Sequence, residues 1–362
     1  MADDDVLTIG LTPGCPAGIG PEVWAKALLG LSVSLPASTR LRWFASQALL
    51  LEGARRAKVT ASVDGSDVVI GGLRVQVAVA DADDRGARSR VRVVDDDALA
   101  CQRDALLRAC AAAERGELQA IVTGPVRKAA LVVEGRAFPG QTELVHLHLH
   151  DDDGPPLMVF AGADFVLGLF TVHVALSAVP GLVQRAPLER AVRRLAEATR
   201  ALLGIDRPRI VVLGVNPHAG EGGLFGDEEE RVVEPLLASL RAHDGGFDVD
   251  GPVPADGFFA DVARRLKAGS APGVRRVDAV LAMHHDQGLA PYKLLVGGEG
   301  INITWGLRVP RTSPDHGTAD AIAGTGQADP SSTIAAVHTA VRLARQSKGP
   351  ERSAKNAADP RG

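Results

Sequence analysis

Short runs rich in Val, Ile and Leu alternate along this chain with longer amphipathic stretches, and that alternation limits the fold more than any other feature. Residues 6–11, 41–44, 75–79, 120–123, 158–161, 165–172, 210–215 and 279–283 read as strands. Residues 21–31, 98–115, 187–203, 228–242 and 331–346 read as helices. Pro21 suits a first helical turn, and Gly116 and Gly204 suit helix exits. Strand runs alternating with helices predict an α/β protein built on a largely parallel sheet. At 362 residues the chain exceeds one typical domain, so two α/β domains are expected.

Composition narrows the function. The net charge is −4 and no basic block follows a phosphate backbone, which argues against a nucleic-acid partner. Cys15, Cys101 and Cys110 are too few and too scattered for a disulfide framework, so a reducing, cytoplasmic setting is expected. The acidic start Met1-Ala2-Asp3-Asp4-Asp5 has the wrong order for a signal peptide, and no apolar stretch approaches the ~20 residues of a membrane span.

The chemistry gathers where strand-like runs end. Ala282-Met283-His284-His285-Asp286-Gln287-Gly288-Leu289-Ala290-Pro291-Tyr292-Lys293 loads two imidazoles, a carboxylate, an amide and an ammonium behind a core strand. Such a load is costly unless a ligand uses it. His173 and His218 also follow apolar runs. Three histidines at strand ends predict one divalent metal with three nitrogen ligands and open positions for substrate; Zn²⁺ or Co²⁺ suit nitrogen better than Mg²⁺. The gaps between them are too long for a zinc knuckle. The tract His146-Leu147-His148-Leu149-His150 reads instead as a solvated helix end, because three alternating histidines do not share a helix face.

Other segments suit anions and a flat cofactor. Leu11-Thr12-Pro13-Gly14-Cys15-Pro16-Ala17-Gly18-Ile19-Gly20-Pro21-Glu22 joins a strand to a helix start without the glycine spacing of a Rossmann fingerprint or a P-loop. Thr123-Gly124-Pro125-Val126-Arg127-Lys128 and Gly140-Gln141-Thr142 put hydrogen-bonding groups at loop–helix junctions. Residues 300–304 and 311–330 form a polar, Gly-rich stretch that reads as a long functional loop.

Taken together, these motifs resemble the 4-hydroxythreonine-4-phosphate dehydrogenase family of pyridoxal phosphate biosynthesis, from about residue 7 to about residue 345. The opening loop, 216–226, Pro254-Ala255-Asp256, 285–293 and 311–330 all look like family signatures. The last is also similar to the cofactor loop of isocitrate and isopropylmalate dehydrogenases. The resemblance implies two α/β/α domains with a cleft between them. The expected domains are 1–130 with 300–346, carrying the nucleotide loop, and 131–299, carrying the histidines and a homodimer interface. Residues 347–362 are expected to be a disordered tail.

By this resemblance His173, His218 and His285 ligate the metal, with His285 reaching across a homodimer so that active sites are shared. Gln141, Thr142, Lys293, Asn302 and Arg311 fall on substrate positions, Asp256 and Asp286 are acids beside the metal, and Lys293 or one of those acids relays the proton. His316, Gly317, Thr318 and Ala319 would hold NAD or NADP. The implied reaction oxidises the secondary alcohol of 4-phosphohydroxy-L-threonine and then loses CO₂, giving 3-amino-2-oxopropyl phosphate. Relatives act on threonate or erythronate 4-phosphate or on non-phosphorylated diols. A metal-dependent lyase or hydrolase would share the histidines but would not need the nucleotide loop. The chain departs from the family pattern at Gln141, usually histidine, at Cys15, usually aspartate, and at His284, Trp305 and Ala321.

Overall fold

The computed structural model describes residues 6–78, 96–150, 154–162, 165–268 and 277–347; the expected tail beyond 347 lies outside them. The chain begins with β1 (Leu7–Thr12), α1 (Gly20–Leu31), β2 (Thr39–Trp43), α2 (Gln47–Ala57), β3 (Ala61–Asp64), β4 (Asp67–Ile70) and β5 (Leu73–Val77). α3 (Asp96–Glu114), β6 (Ala120–Thr123), the short β7 (Val132–Val133) and β8 (Arg136–Ala137), and α4 (Gln141–Leu149) follow. Next come β9 (Leu157–Ala161), β10 (Val166–Leu169), α5 (Val179–Leu182), α6 (Arg185–Leu203), β11 (Arg209–Leu213) and α7 (Glu234–Ala242). β12 (Asp248–Val253), α8 (Ala255–Ala268), β13 (Ala279–Ala282), α9 (His285–Val296), β14 (Ile301–Trp305), β15 (Arg311–Pro314) and α10 (Ser331–Ser347) complete it.

Two compact units form, Met1–Pro156 with Ile301–Gly362, and Leu157–Gly300. The expected switch after residue 130 is therefore too early. Residues 131–156 stay with the first unit because Leu131, Phe138, Leu144, Val145 and Leu149 share a buried core with Leu106 and Ala109 of α3. Moving them would expose that apolar surface.

In the first unit the strand order is β14-β15-β6-β1-β2-β5-β4-β3. β15, β6, β1, β2 and β5 run parallel, while β14, β4 and β3 enter antiparallel to their neighbours. Trp24 and Trp43 meet edge to face at 6.1 Å, fully buried, and the Trp24 indole donates to Thr12 O at 2.9 Å. That bond satisfies the one polar atom such a ring carries into a core. α2 packs on α1 at Gly53, where a Cβ would stand 2.2 Å from Pro21 O.

In the second unit the order is β12-β11-β13-β10-β9, parallel except for β9. Its apolar core includes Phe160, Leu167, Val280 and Tyr292. Among the described residues no helix is long and apolar enough to cross a membrane.

Candidate active site

β10, β13 and β11 lie side by side, with Leu169 opposite Ala282 and Val212 opposite Leu281. Their C-terminal ends therefore share one edge, the edge where open α/β sheets bind ligands. All three predicted histidines follow these ends. His173 and His285 come together with ring centroids 6.1 Å apart. His285 Nδ1 lies 2.7 Å from Asp286 Oδ1, and His218 Nδ1 lies 2.7 Å from Glu221 Oε2. A carboxylate on Nδ1 fixes a ring and leaves Nε2 for a ligand, the usual outer partner of a metal-bound imidazole. The donor chemistry of these residues thus fits a divalent cation. Their grouping is only partial: among the described residues no three His, Cys, Asp or Glu side chains are close enough together to hold a metal ion. Two of the three predicted ligands meet, and His218 stands apart from them.

His218 sits on a strained turn. It has φ 54°, Ala219 has φ 53° and Glu221 has φ 44°. Left-handed backbone at non-glycine residues costs on the order of 1–3 kcal/mol each and persists only where the surroundings impose it. Glu229 imposes it here. This carboxylate is 1% exposed and accepts from Val215 N at 2.7 Å, Asn216 N at 2.8 Å and Asn216 Nδ2 at 2.9 Å. It opens a π-helical turn, Glu229–Val233. Gly220 is required beside it, because a Cβ there would lie 2.8 Å from Glu229 Oε2. The sequence does not mark Glu229, which lies at the start of the stretch 228–242 that reads only as a helix.

His218, Asp256 and His284 line a pocket of about 580 Å³ together with Asn216, Gln287 and Leu176. His284 caps α9, accepting from Gln287 N at 3.3 Å. Burial pulls its pKa down, which favours the neutral, accepting ring. Gln287 accepts from Met283 N and donates to Gly214 O, both at 2.7 Å, and so ties the ends of β13 and β11. The hydrogen bond to Glu221, and then its charge, raise the His218 pKa. Asp256 and Asp286 are exposed in the first turns of α8 and α9, where a helix dipole favours carboxylates. Lys293 is exposed in the last turn of α9, about 12 Å along the axis from His285.

The first unit assembles the predicted anion residues. Arg311 is 3% exposed. Its Nε and Nη2 donate to Thr123 Oγ1 at 3.1 and 2.5 Å, and its Nη1 donates to Thr304 Oγ1 at 3.2 Å. Thr304 is its cross-strand partner in the β14–β15 pair. Burial pushes the guanidinium pKa down to about 10. Among the described residues no carboxylate forms an ion pair with it. A buried cation whose hydrogen bonds among the described residues go to hydroxyls, with the charge of Glu143 also acting on it, is poised to take an anion. Thr142 Oγ1 lies 3.4 Å from Thr304 Oγ1, and Gln141 Nε2 donates to Gly124 O at 3.2 Å. Gln141 Oε1 and Asn302 Oδ1 are buried without a partner among the described residues. Thr123 and Thr304, absent from the expected site, are the groups that aim Arg311.

The loop after β15 carries the predicted nucleotide residues. His316 Nδ1 lies 3.1 Å from Gly317 O, while its Nε2 is buried with no partner among the described residues. A ring donating through Nδ1 has an acceptor free at Nε2. Gly317 is open, with nothing within 4 Å of a Cβ, and Ala319 is left-handed at φ 42°. An orphaned acceptor beside open backbone fits a flat nucleotide. Thr318 O accepts from Ile19 N at 3.0 Å, and Asp320 pairs with Arg127. The tract at 146–150 lies apart from this machinery. His146 on α4 and His150 just past its end do meet at 5.9 Å, and His148 Nδ1 lies 3.3 Å from Glu114.

Comparison with known proteins identifies the family. The model for "Pyridoxal phosphate biosynthetic protein PdxA" matches residues 41–340. A curated 4-hydroxythreonine-4-phosphate dehydrogenase from Azoarcus sp. (strain BH72) is 37% identical over 350 residues, covering 93% of this chain and 96% of that protein. One from Aromatoleum aromaticum (strain DSM 19018 / LMG 30748 / EbN1) is 38% identical over 353 residues, covering 95% and 98%. Among solved structures, a putative 4-hydroxythreonine-4-phosphate dehydrogenase from Salmonella typhimurium superposes with TM-score 0.72 at 34% identity, covering 93% and 99%. A terephthalate 1,2-cis-dihydrodiol dehydrogenase from Burkholderia xenovorans LB400 gives TM-score 0.56 at 27% identity, covering 93% and 98%. The family model and these relatives, matched over most of their length, show that the chain belongs to the PdxA family of pyridoxal phosphate biosynthetic proteins and is an NAD(P)-dependent dehydrogenase.

Proposed function

We propose that this enzyme oxidises the secondary alcohol of 4-phosphohydroxy-L-threonine with NAD or NADP, and that the resulting β-keto acid loses CO₂ to give 3-amino-2-oxopropyl phosphate. The observation that carries this reading is Arg311, a buried guanidinium whose hydrogen bonds among the described residues go to Thr123 and Thr304. It would bind the phosphate, with Gln141, Thr142 and Asn302 orienting the rest of the substrate. Lys293, Asp256 or Asp286 would take the alcohol proton. A divalent cation, when bound, would supply Lewis-acid stabilisation of negative charge on oxygen, and the nicotinamide would accept the hydride. His173, His218 and His285 would hold that cation. In a homodimer with shared sites, His285 of a second copy would complete the set formed with His173 and His218.

Val174, Leu176, Leu182, Leu224 and Phe225 are large exposed apolar residues in the histidine-bearing unit. Contact with a second copy would cover them, supporting a homodimer. The test is a panel of substrates followed by absorbance of the reduced nicotinamide, with NAD and with NADP. It would include 4-phosphohydroxy-L-threonine, threonate and erythronate 4-phosphates, and a non-phosphorylated diol. The proposal requires the phosphothreonine to give the highest kcat/KM. A preference for the diol would overturn it, an outcome to which uncharged Gln141 and the dihydrodiol dehydrogenase likeness give weight. His218→Ala should lose both bound metal and activity while still folding; full activity in metal-free buffer would refute the metal assignment.

A further inference from the structure

We infer that Glu22 and Lys26 of α1 are positioning residues that hold the 316–328 loop in its cofactor-binding form. The inference rests on the assignment of that loop to NAD(P). Glu22 is fully buried in the first turn of α1. Its Oε2 accepts from Gly324 N at 2.7 Å. Lys26, one turn on, is half-buried and donates from Nζ to Gly326 O at 2.5 Å and to Ala328 O at 2.8 Å. Residues four apart share a helix face, so one face of α1 grips both polarities of the same loop backbone. Apolar contact supports the grip, with Ile19 and Val23 packed against Ala323 and Ala328. At the loop's other end Ile19 N donates to Thr318 O at 3.0 Å, and a Cβ on Gly18 would crowd that oxygen at 2.8 Å.

Charge-assisted bonds to backbone are the stronger kind. A loop tied before binding has less freedom to lose when the cofactor arrives. The side chains act through the loop, so their removal should weaken cofactor binding more than it slows the chemical step.

The test measures NAD(P) affinity by calorimetry, KM and kcat separately, and amide exchange of the loop in ligand-free enzyme. Glu22→Ala should weaken cofactor binding about tenfold and speed exchange at Gly324. Glu22→Gln keeps an acceptor oxygen and should return affinity to within about threefold of the parent. Lys26→Met keeps the aliphatic stem, guards against a folding defect at the buried site, and should raise the cofactor KM about threefold with little change in kcat. Gly317→Val, at a position with room for a side chain, separates the two claims. If it weakens cofactor binding while the α1 variants leave affinity and exchange untouched, the positioning role is wrong. If it leaves affinity unchanged, the loop does not bind cofactor, and both the assignment and this inference fall.

Discussion

Arg311 and His218 both stand near strand ends, and they are held in opposite ways. Arg311 is buried, its guanidinium aimed by two threonine hydroxyls on neighbouring strands. His218 is exposed on a turn of left-handed residues, bonded to a carboxylate three positions on. The first is rigid because regular sheet carries it. The second is rigid only because Glu229, out of contact with solvent, ties down the backbone beneath it. They also differ toward pH. Arg311 keeps its charge at neutral pH even when lowered to about 10, whereas the hydrogen bond to Glu221, and then its charge, raise the His218 pKa. An anion site on sheet can be built once and left alone. A metal-type site on turns needs a second layer of residues to hold it.

The sharpest way to break this contrast is Arg311→Met. Removing the cation that would meet the phosphate should cost about 3 kcal/mol or more in kcat/KM, a hundredfold or greater loss. Because the lost charge was buried against two threonine hydroxyls, with Glu143 acting on it only through its charge, thermal stability should hold or rise. A large fall in Tm would show that Arg311 serves the fold first. Glu229→Ala should do the reverse. It strands two backbone N–H groups and an amide, costing roughly 2–3 kcal/mol of stability, and should open 216–226 to limited proteolysis. Unchanged Tm and cleavage would mean that the turn holds itself. Gln141→His would place a titrating group in the pH-silent half. The KM for a phosphorylated substrate should then fall a few-fold as pH drops from about 7.5 to 5.5, as the new imidazole gains charge. Parallel pH profiles for mutant and parent would mean that position 141 does not face substrate.

The smallest effect lies outside both halves. The hydrogen bond from Arg55, with help from Arg56, holds the Glu52 carboxyl down to about 2. A depressed carboxyl contributes stability above its ordinary value near 4.5 and loses it as pH falls toward about 2. Glu52 is about a third exposed, so solvent screening should hold this to less than ~1 kcal/mol. Glu52→Gln should flatten the stability curve only in that acid window, as followed by chemical denaturation.

The features legible in the sequence were those written locally. An apolar run followed by a histidine is visible without knowing its neighbours, and so is an arginine in a polar, glycine-rich stretch. β14 and β15 were hidden for a physical reason. Asn302 and Thr304 alternate with Ile301 and Ile303, and Arg311 opens the partner strand, so strands that line a polar site read as one long loop. The end of the first unit was hidden because no change of composition marks it; packing of α4 against α3 decides it. The adjacency of His173 and His285 follows from the pairing of β10 with β13, more than a hundred residues apart in sequence. Glu22 was visible as the last residue of the opening motif but not its role, and Glu229 carried no signal, since their partners are largely backbone amides.

Gly53 gives this architecture an unguarded flank. Even an alanine methyl there would meet Pro21 O at 2.2 Å, and Pro21 immediately precedes Glu22. A substitution on α2 would therefore be transmitted as a displacement of the start of α1, and through Glu22 to Gly324. If the 316–328 loop holds the cofactor, such an allele would score in a genetic screen as a cofactor-binding mutant although the altered residue lies on α2. Its suppressors should map to the facing surfaces of α1 and α2, not to the residues that meet the ligand.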